Sequence, residues 1–170
     1  MVAFGKAASD SASELENIKT AFEVFLGSKE KVDALVRDLR QIAVKSPLEL
    51  TDISEGARML LTYGVAAGDV SDTVERLSEV SAGSAERFQR ISYAFGQISS
   101  IGRLMGTELR QLTEPGFNPL ENIGKRTGET MIDLKARMED GGIAIDEVRQ
   151  ALIDATSAGG RFFGFNAESP

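Results

Sequence analysis

Any catalytic reading of this chain has to rest on carboxylates, because its 170 residues include no histidine and no cysteine. Without those two residue types there is no thiolate nucleophile, no His-assisted triad, no structural zinc site of the usual kind and no disulfide. Acids are plentiful, and Glu108, Glu114, Glu139 and Asp140 fall near expected turns where a cleft could form. A glycosidase needs two carboxyl groups at a set separation across the scissile bond, and nothing in this spacing supplies such a pair. The four read as solvated surface charge and helix-start acids. Asp140-Gly141-Gly142 lacks the repeated oxygen ligands of a calcium loop, and Gly159-Gly160-Arg161 lacks the strand and the Lys-Ser/Thr of a phosphate-binding loop. Both read as turns.

The remaining chemistry is that of packing and surface contact. Hydrophobic residues make up 42% and charged residues 26%, a balance that predicts a folded globular chain. The formal net charge of −7 argues against nucleic acid as a partner, since phosphate binding needs a basic patch, and no Lys/Arg cluster of that kind stands out. No stretch reaches the roughly 18 apolar residues of a membrane span, and Met1 to Lys6 lacks the apolar core of a signal peptide. The expectation is one domain, cytoplasmic during its synthesis.

Helical periodicity organises the chain. Leu15, Ile18, Phe22, Phe25 and Leu26 recur at helical spacing before Gly27-Ser28, and Val32, Leu35, Val36, Leu39 and Ile42 define a second helix ended by Ser46-Pro47. Within the second, Asp33 and Arg37 are spaced for an ion pair. Thr51 or Asp52 is expected to cap a third helix, with Asp52 and Glu55 as a capping box, and Gly64 to stop it. Asp69 is expected to cap a fourth, which carries Val70, Val74, Leu77 and Val80. A long fifth segment runs from Ser84 to Leu112 through Phe88, Ile91, Phe95, Ile98, Met105 and Leu109, and it contains Gly96, Gly102 and Gly106. Each glycine weakens a helix, so this segment either bends or packs very close to another backbone.

Asn118-Pro119 with Glu121 starts a short helix after the Thr113 to Gly116 turn. Met131, Leu134 and Met138 mark another, and Val148, Leu152 and Ala155 the last. No strand pattern of convincing length occurs, so the expected class is all-α, a compact bundle of about seven or eight helices divided by Gly and Pro breaks. The Met residues and the helically spaced Phe residues are expected in its core. Phe162, Phe163 and Phe165 follow a glycine pair near the chain end. Two readings are open: Phe162 and Phe163 fold back on the core, or Arg161, Phe162, Phe163 and Phe165 form a docking site for a partner.

Several local patterns then line up in order. Ser46-Pro47-Leu48-Glu49-Leu50 leads into Leu60-Leu61-Thr62-Tyr63-Gly64, followed by Phe95-Gly96-Gln97-Ile98, Gly102-Arg103-Leu104-Met105, Glu108-Leu109-Arg110-Gln111-Leu112 and Gly159-Gly160-Arg161-Phe162. Together they resemble the N-terminal domain of tape measure proteins, the large proteins that set tail length in long-tailed bacteriophages and related prophages. Two departures stand out: Ser78 to Gly83 replaces a Gly-Asp before the Ala/Gly-rich turn, and Ala144 replaces the polar cap of the last helix.

The resemblance implies a structural role and no cofactor, in a domain spanning residues 1–165 with 166–170 as a tail or linker. It implies partners among the tail tube, the tail tip or initiator and the tail assembly chaperone, together with the remainder of a longer chain. The implied places are the host bacterial cytoplasm during assembly and then the virion tail. The residues carrying the resemblance are Ser46, Pro47, Leu60, Leu61, Tyr63, Gly64, Gln97, Gly102, Gln111, Leu112, Gly159 and Gly160. The alternatives are a stand-alone helical adaptor that binds through an exposed apolar surface, and a carboxylate enzyme acting on cell-wall glycans.

Overall fold

A computed structural model of the protein describes the backbone of residues 2–168 and the side chains of residues 12–166. Met1, the N-terminal side chains and Ser169-Pro170 lie outside the described residues. Within them the fold is all-α, with no strand beyond one isolated bridge. The helices are α1 Val2–Leu26, α2 Lys29–Lys45, α3 Leu50–Thr62, α4 Ala67–Val80, α5 Ala85–Ile101, α6 Gly106–Thr113, α7 Pro119–Thr127, α8 Met131–Glu139, α9 Ile145–Thr156 and the single turn α10 Phe165–Glu168.

The centre of the bundle is α3, which packs against α1, α2, α4 and α5. Its apolar face, Ile53, Ala57, Leu60 and Leu61, meets the buried stripe Phe88, Ile91, Phe95 and Ile98 of α5. Gln89 donates to the carbonyl of Asp52 at 3.1 Å, Phe88 lies over Gly56, and Tyr63 lies over Gly96. Contacts run from Asp52 and Gly56 beside Phe88 and Gln89 to Tyr63 beside Gly96, so α3 and α5 run parallel, with α4 as the crossover between them. The approach depends on the two glycines. A Cβ on Gly56 would sit 2.6 Å from the Phe88 ring, and one on Gly96 would sit 2.7 Å from the Tyr63 ring. Tyr63 also meets Tyr93 edge-on at 5.8 Å, and Gln97 donates to the Tyr93 hydroxyl at 3.1 Å.

The expected long segment over 84–112 is two helices. At Gly102 the backbone turns left-handed, with φ +91°, and closes α5 through an N–H bond to Ile98 O. The next residues pair with the start of α9: Leu104 N–H donates to Ile143 O at 2.9 Å and Ile145 N–H to Gly102 O at 3.0 Å. That second bond explains how α9 begins at Ala144 with no side-chain cap. A main-chain carbonyl from the α5–α6 link takes the N–H of Ile145, the first of the helix's N–H groups without an intrahelical partner. The break falls at Gly102, and the close approach at Gly96 is to the Tyr63 side chain and not to another backbone.

Other expectations are corrected. At the start of α3, Glu49 takes the cap position without a side-chain bond, while Asp52 lies in the first turn and Glu55 pairs with Arg58. Ala66, not Asp69, is the cap of α4. Arg37 stands 3.8 Å from Asp38 and not beside Asp33. Of the described methionines only Met138 is buried; Met59 and Met105 are half-buried and Met131 is exposed. Ser28, Ser84, Asn118 and Thr130 do cap their helices. Among the described residues no helix is long and apolar enough to cross a membrane.

The crossing yields a paired test. Gly96→Ala forces a methyl into the Tyr63 ring and should lose about 1–3 kcal/mol of stability. Gly68→Ala, in a helix with nothing near its Cβ, should be neutral or gain up to about 1 kcal/mol. Chemical denaturation of both variants checks the difference.

Candidate functional site

The Gly159-Gly160-Arg161-Phe162 segment forms one wall of an open surface cleft. After α9 the chain turns left-handed at Gly159, φ +87°, and Gly160 N–H donates to Ser157 O at 2.8 Å. Gly160 presses onto the last turn of α9 so closely that a Cβ there would fall on the carbonyl oxygens of Asp154 and Ala155. Phe162 N–H then donates to Ala155 O at 2.9 Å, and the Phe162 ring packs against the core. The two glycines are therefore a helix stop that folds the chain back.

The other wall is the Gly116 to Asn118 turn and the face of α7 that carries Glu121, Asn122, Lys125 and Arg126. Between them lies an open cleft of about 460 Å³, floored by Asp154, Ala155 and Ser157. Arg126 crosses it and binds Asp154 through both carboxylate oxygens at 2.7 and 2.9 Å, and Gln150 adds a bond at 3.0 Å. The hydrogen bond from Arg126 holds the Asp154 carboxyl below its ordinary range, with partial burial opposing and Gln150 assisting. Lys125 and Arg161 are exposed at the rim.

Phe162 is half-buried on the core, but Phe163 is 58% exposed and does not fold back as one reading expected. The stop at Gly160 directs alternate residues inward and outward. Phe165 is half-buried and approaches the Ala82-Gly83 turn, where Pro47 also packs at 3.1 Å from the position of a Gly83 Cβ. Beyond it Asn166 is buried and donates to Ser78 at 2.9 Å, so ordered chain continues past Phe165 onto α4.

Some of the motif residues gather at three places. Tyr63, Gly64 and Gln97 gather at the α3–α5 crossing, Ser46 and Pro47 reach the Gly83 turn, and Gly159, Gly160 and Arg161 line the cleft. Leu60, Leu61 and Leu112 are core, Gly64 and Gly102 are left-handed stops, and Gln111 has a buried side-chain oxygen without a protein partner.

The four candidate acids do not converge, and none lines the cleft. Glu108 is buried on α6, contrary to its reading as solvated charge, because it shares the inward face of that helix with Leu112, four residues on. Glu114 pairs with Arg90 at 2.9 Å, and Glu139 and Asp140 are exposed at the end of α8. Among the described residues no group of three or more acids is placed to hold a metal ion.

Sequence reasoning missed Arg137. Its guanidinium binds Glu129 at 2.9 and 3.1 Å, Glu147 at 2.6 and 2.9 Å and the carbonyl of Gly142 at 2.9 Å. It ties the turns on either side of α8 to the start of α9. Only the Arg137/Glu129/Glu147 charge pattern hinted at it, at spacings outside the helical i,i+4 rule. The hydrogen bond from Arg137 holds Glu129 below the usual carboxylate range.

Two outcomes follow. Gly160→Ala should cost about 2–4 kcal/mol through backbone collision, whereas Phe163→Ala should stay within about 0.5 kcal/mol of the parent, both read by denaturant unfolding. Asp154 and Glu129 are depressed, so their stabilisation is present above the ordinary carboxylate value of about 4 and is lost as pH falls through the lower folded values. Thermal unfolding across acidic pH should show the midpoint falling in that window, with a shallower fall in Asp154→Asn.

Comparison with known proteins gives one match and two negatives. No curated protein and no solved structure matches the chain. The family model described as tape measure protein matches residues 6–166. That span takes in both the α3–α5 crossing and the Gly159-Gly160 stop, and nearly the whole chain, so this protein belongs to the tape measure protein family and is a structural component of a phage tail.

Proposed function

We propose that this domain takes part in tail length determination by docking other tail proteins, and that the cleft beside Phe163 is one such docking point. The observation that supports it is the exposed Phe163 side chain, which directly follows Arg161 and Phe162 in the wall of a polar cleft that Lys125 also lines. A large aromatic left in solvent at the end of a rigid helix stop is the kind of anchor that interfaces bury, and flanking cations orient an approaching partner. Arg161, Phe162, Phe163 and Phe165 divide the work: Phe162 and Phe165 hold the segment, while Arg161 and Phe163 face the partner.

The partner is a tail tube, initiator or tail assembly chaperone protein met in the host cytoplasm, and the complex persists in the finished tail. Catalysis has no part in this role. Nor is this region the ruler itself. A length-setting element needs a continuous extended helix, whereas the longest helix here, α1 with 25 residues, rises only about 37 Å before Gly27 turns the chain back. Residues 1–165 act as the folded head of a longer, more extended chain.

Co-purification of the tagged domain with the tail proteins encoded beside it tests the proposal. The parent domain and an Ile132→Ala control on α8 should each retain one of these proteins, and Arg161→Ala with Phe163→Ala together should reduce retention by about tenfold or more. Equal retention by the double variant would remove the cleft from the role, and retention of no tail protein by the parent would remove the docking role itself.

A further inference from the structure

A second surface, on the opposite arm of the chain, differs from the rest of the molecule in charge. Along the outer side of α2, Asp33, Val36, Arg37, Arg40, Gln41, Val44 and Lys45 fall at helical spacing, and Lys19 of α1 stands beside them. Among the described residues these side chains line an open groove of about 740 Å³. Val36 forms part of its buried floor, and Val44, two turns further on, is 87% exposed.

Four cations and one acid line this groove on a chain of net charge −7. Their internal partners are weak or missing. Lys19 lies 3.5 Å from exposed Glu16, Arg37 lies 3.8 Å from Asp38, and Arg40 and Lys45 have no ion pair among the described residues. Elsewhere several arginines are held by acids: Arg58 by Glu55, Arg76 by Asp72, Arg126 by Asp154 and Arg137 by Glu129 and Glu147. The α2 cations contribute little to holding the bundle together, and their field points outward.

We propose that this groove docks an acidic amphipathic helix of a protein partner. Val36 and Val44, about 12 Å apart along α2, match two apolar side chains spaced two turns apart on the incoming helix. Acidic residues flanking that stripe meet Lys19, Arg37, Arg40 and Lys45. Charge selects this occupant over a second copy of the chain, because a two-fold pairing of α2 with itself would set Arg37 and Arg40 against their own duplicates. The inference does not depend on the cleft beside Phe163, which is built from α7, α9 and the Gly159-Gly160 stop.

The test uses the whole chain and a labelled synthetic helical peptide of about 14 residues with two leucines two turns apart, flanked by glutamates. Fluorescence anisotropy should give saturable binding that weakens with added salt and falls about tenfold or more in Arg37→Glu with Arg40→Glu. Val44→Asp should weaken it as well, and circular dichroism should show both variants folded. Arg161→Ala with Phe163→Ala should bind as the parent does, which separates this groove from the cleft. A lysine-flanked peptide of the same pattern should not bind. Failure of the acidic peptide to bind, or unchanged binding after charge reversal, overturns the proposal. So does self-association through α2 in sedimentation, or binding of anionic phosphatidylserine vesicles as strong as that of the peptide.

Discussion

The constraint on which the bundle depends is the close parallel approach of α3 and α5. Each helix offers one glycine and one aromatic ring to the other: Gly56 receives Phe88, and Tyr63 covers Gly96. A helix interior loses stability for every glycine it carries, so two on facing surfaces need a packing return. The return is ring-against-backbone contact at the centre of the core, where Phe88, Phe95, Ile53 and Leu60 have no solvent exposure. α1, α2 and α4 then pack around α3, and α6 follows from the stop that ends α5.

The second half of the domain shares the same apolar core, through Val148, Ala151, Leu152 and Ala155 of α9 with α4 packed beside it, and backbone and polar contacts add to it. The short antiparallel pairing of residues 102–104 with 143–145 supplies the first N–H partner of α9, and Arg76 reaches from α4 to Thr156 near its other end at 2.9 Å. Arg137 fastens the turns around α8, and the bond from Asn166 to Ser78 brings the chain end back onto α4. The stop at Gly159 and Gly160 is held between these ties, so the position of Phe163 is set by rigid backbone and not by a free tail.

Much of this was legible from residue order. The apolar stripes of α2, α4 and α9 appear in the sequence with the spacing they keep in the core, since burial of one helix face dictates that period. The Asn118-Pro119 start and the Ser84 junction were equally plain. Glycine was harder, because its sequence signature is the same at a left-handed stop, as in Gly102, and at a close helix contact, as in Gly96; only the neighbour distinguishes them. The starts at Glu49, Ala66 and Ala144 have no side-chain cap bond, so the polar-cap signature does not mark them. The Arg137 cluster and the α2 groove lay beyond reach, as both depend on which helices become neighbours.

A tape measure domain of this form divides labour along its surface. Its interior spends aromatic and glycine residues on helix contact, while Phe163 with Arg161 and the α2 cations are left facing outward. The central claim, that the cleft beside Phe163 is a docking point within the tail, is tested most directly by site-specific photo-crosslinking in assembling tails. A benzophenone side chain at position 163 should give a discrete adduct with a tail protein, and one at Ile132, which is 82% exposed on α8, should not. Adducts at Ile132 with none at 163 would contradict the account.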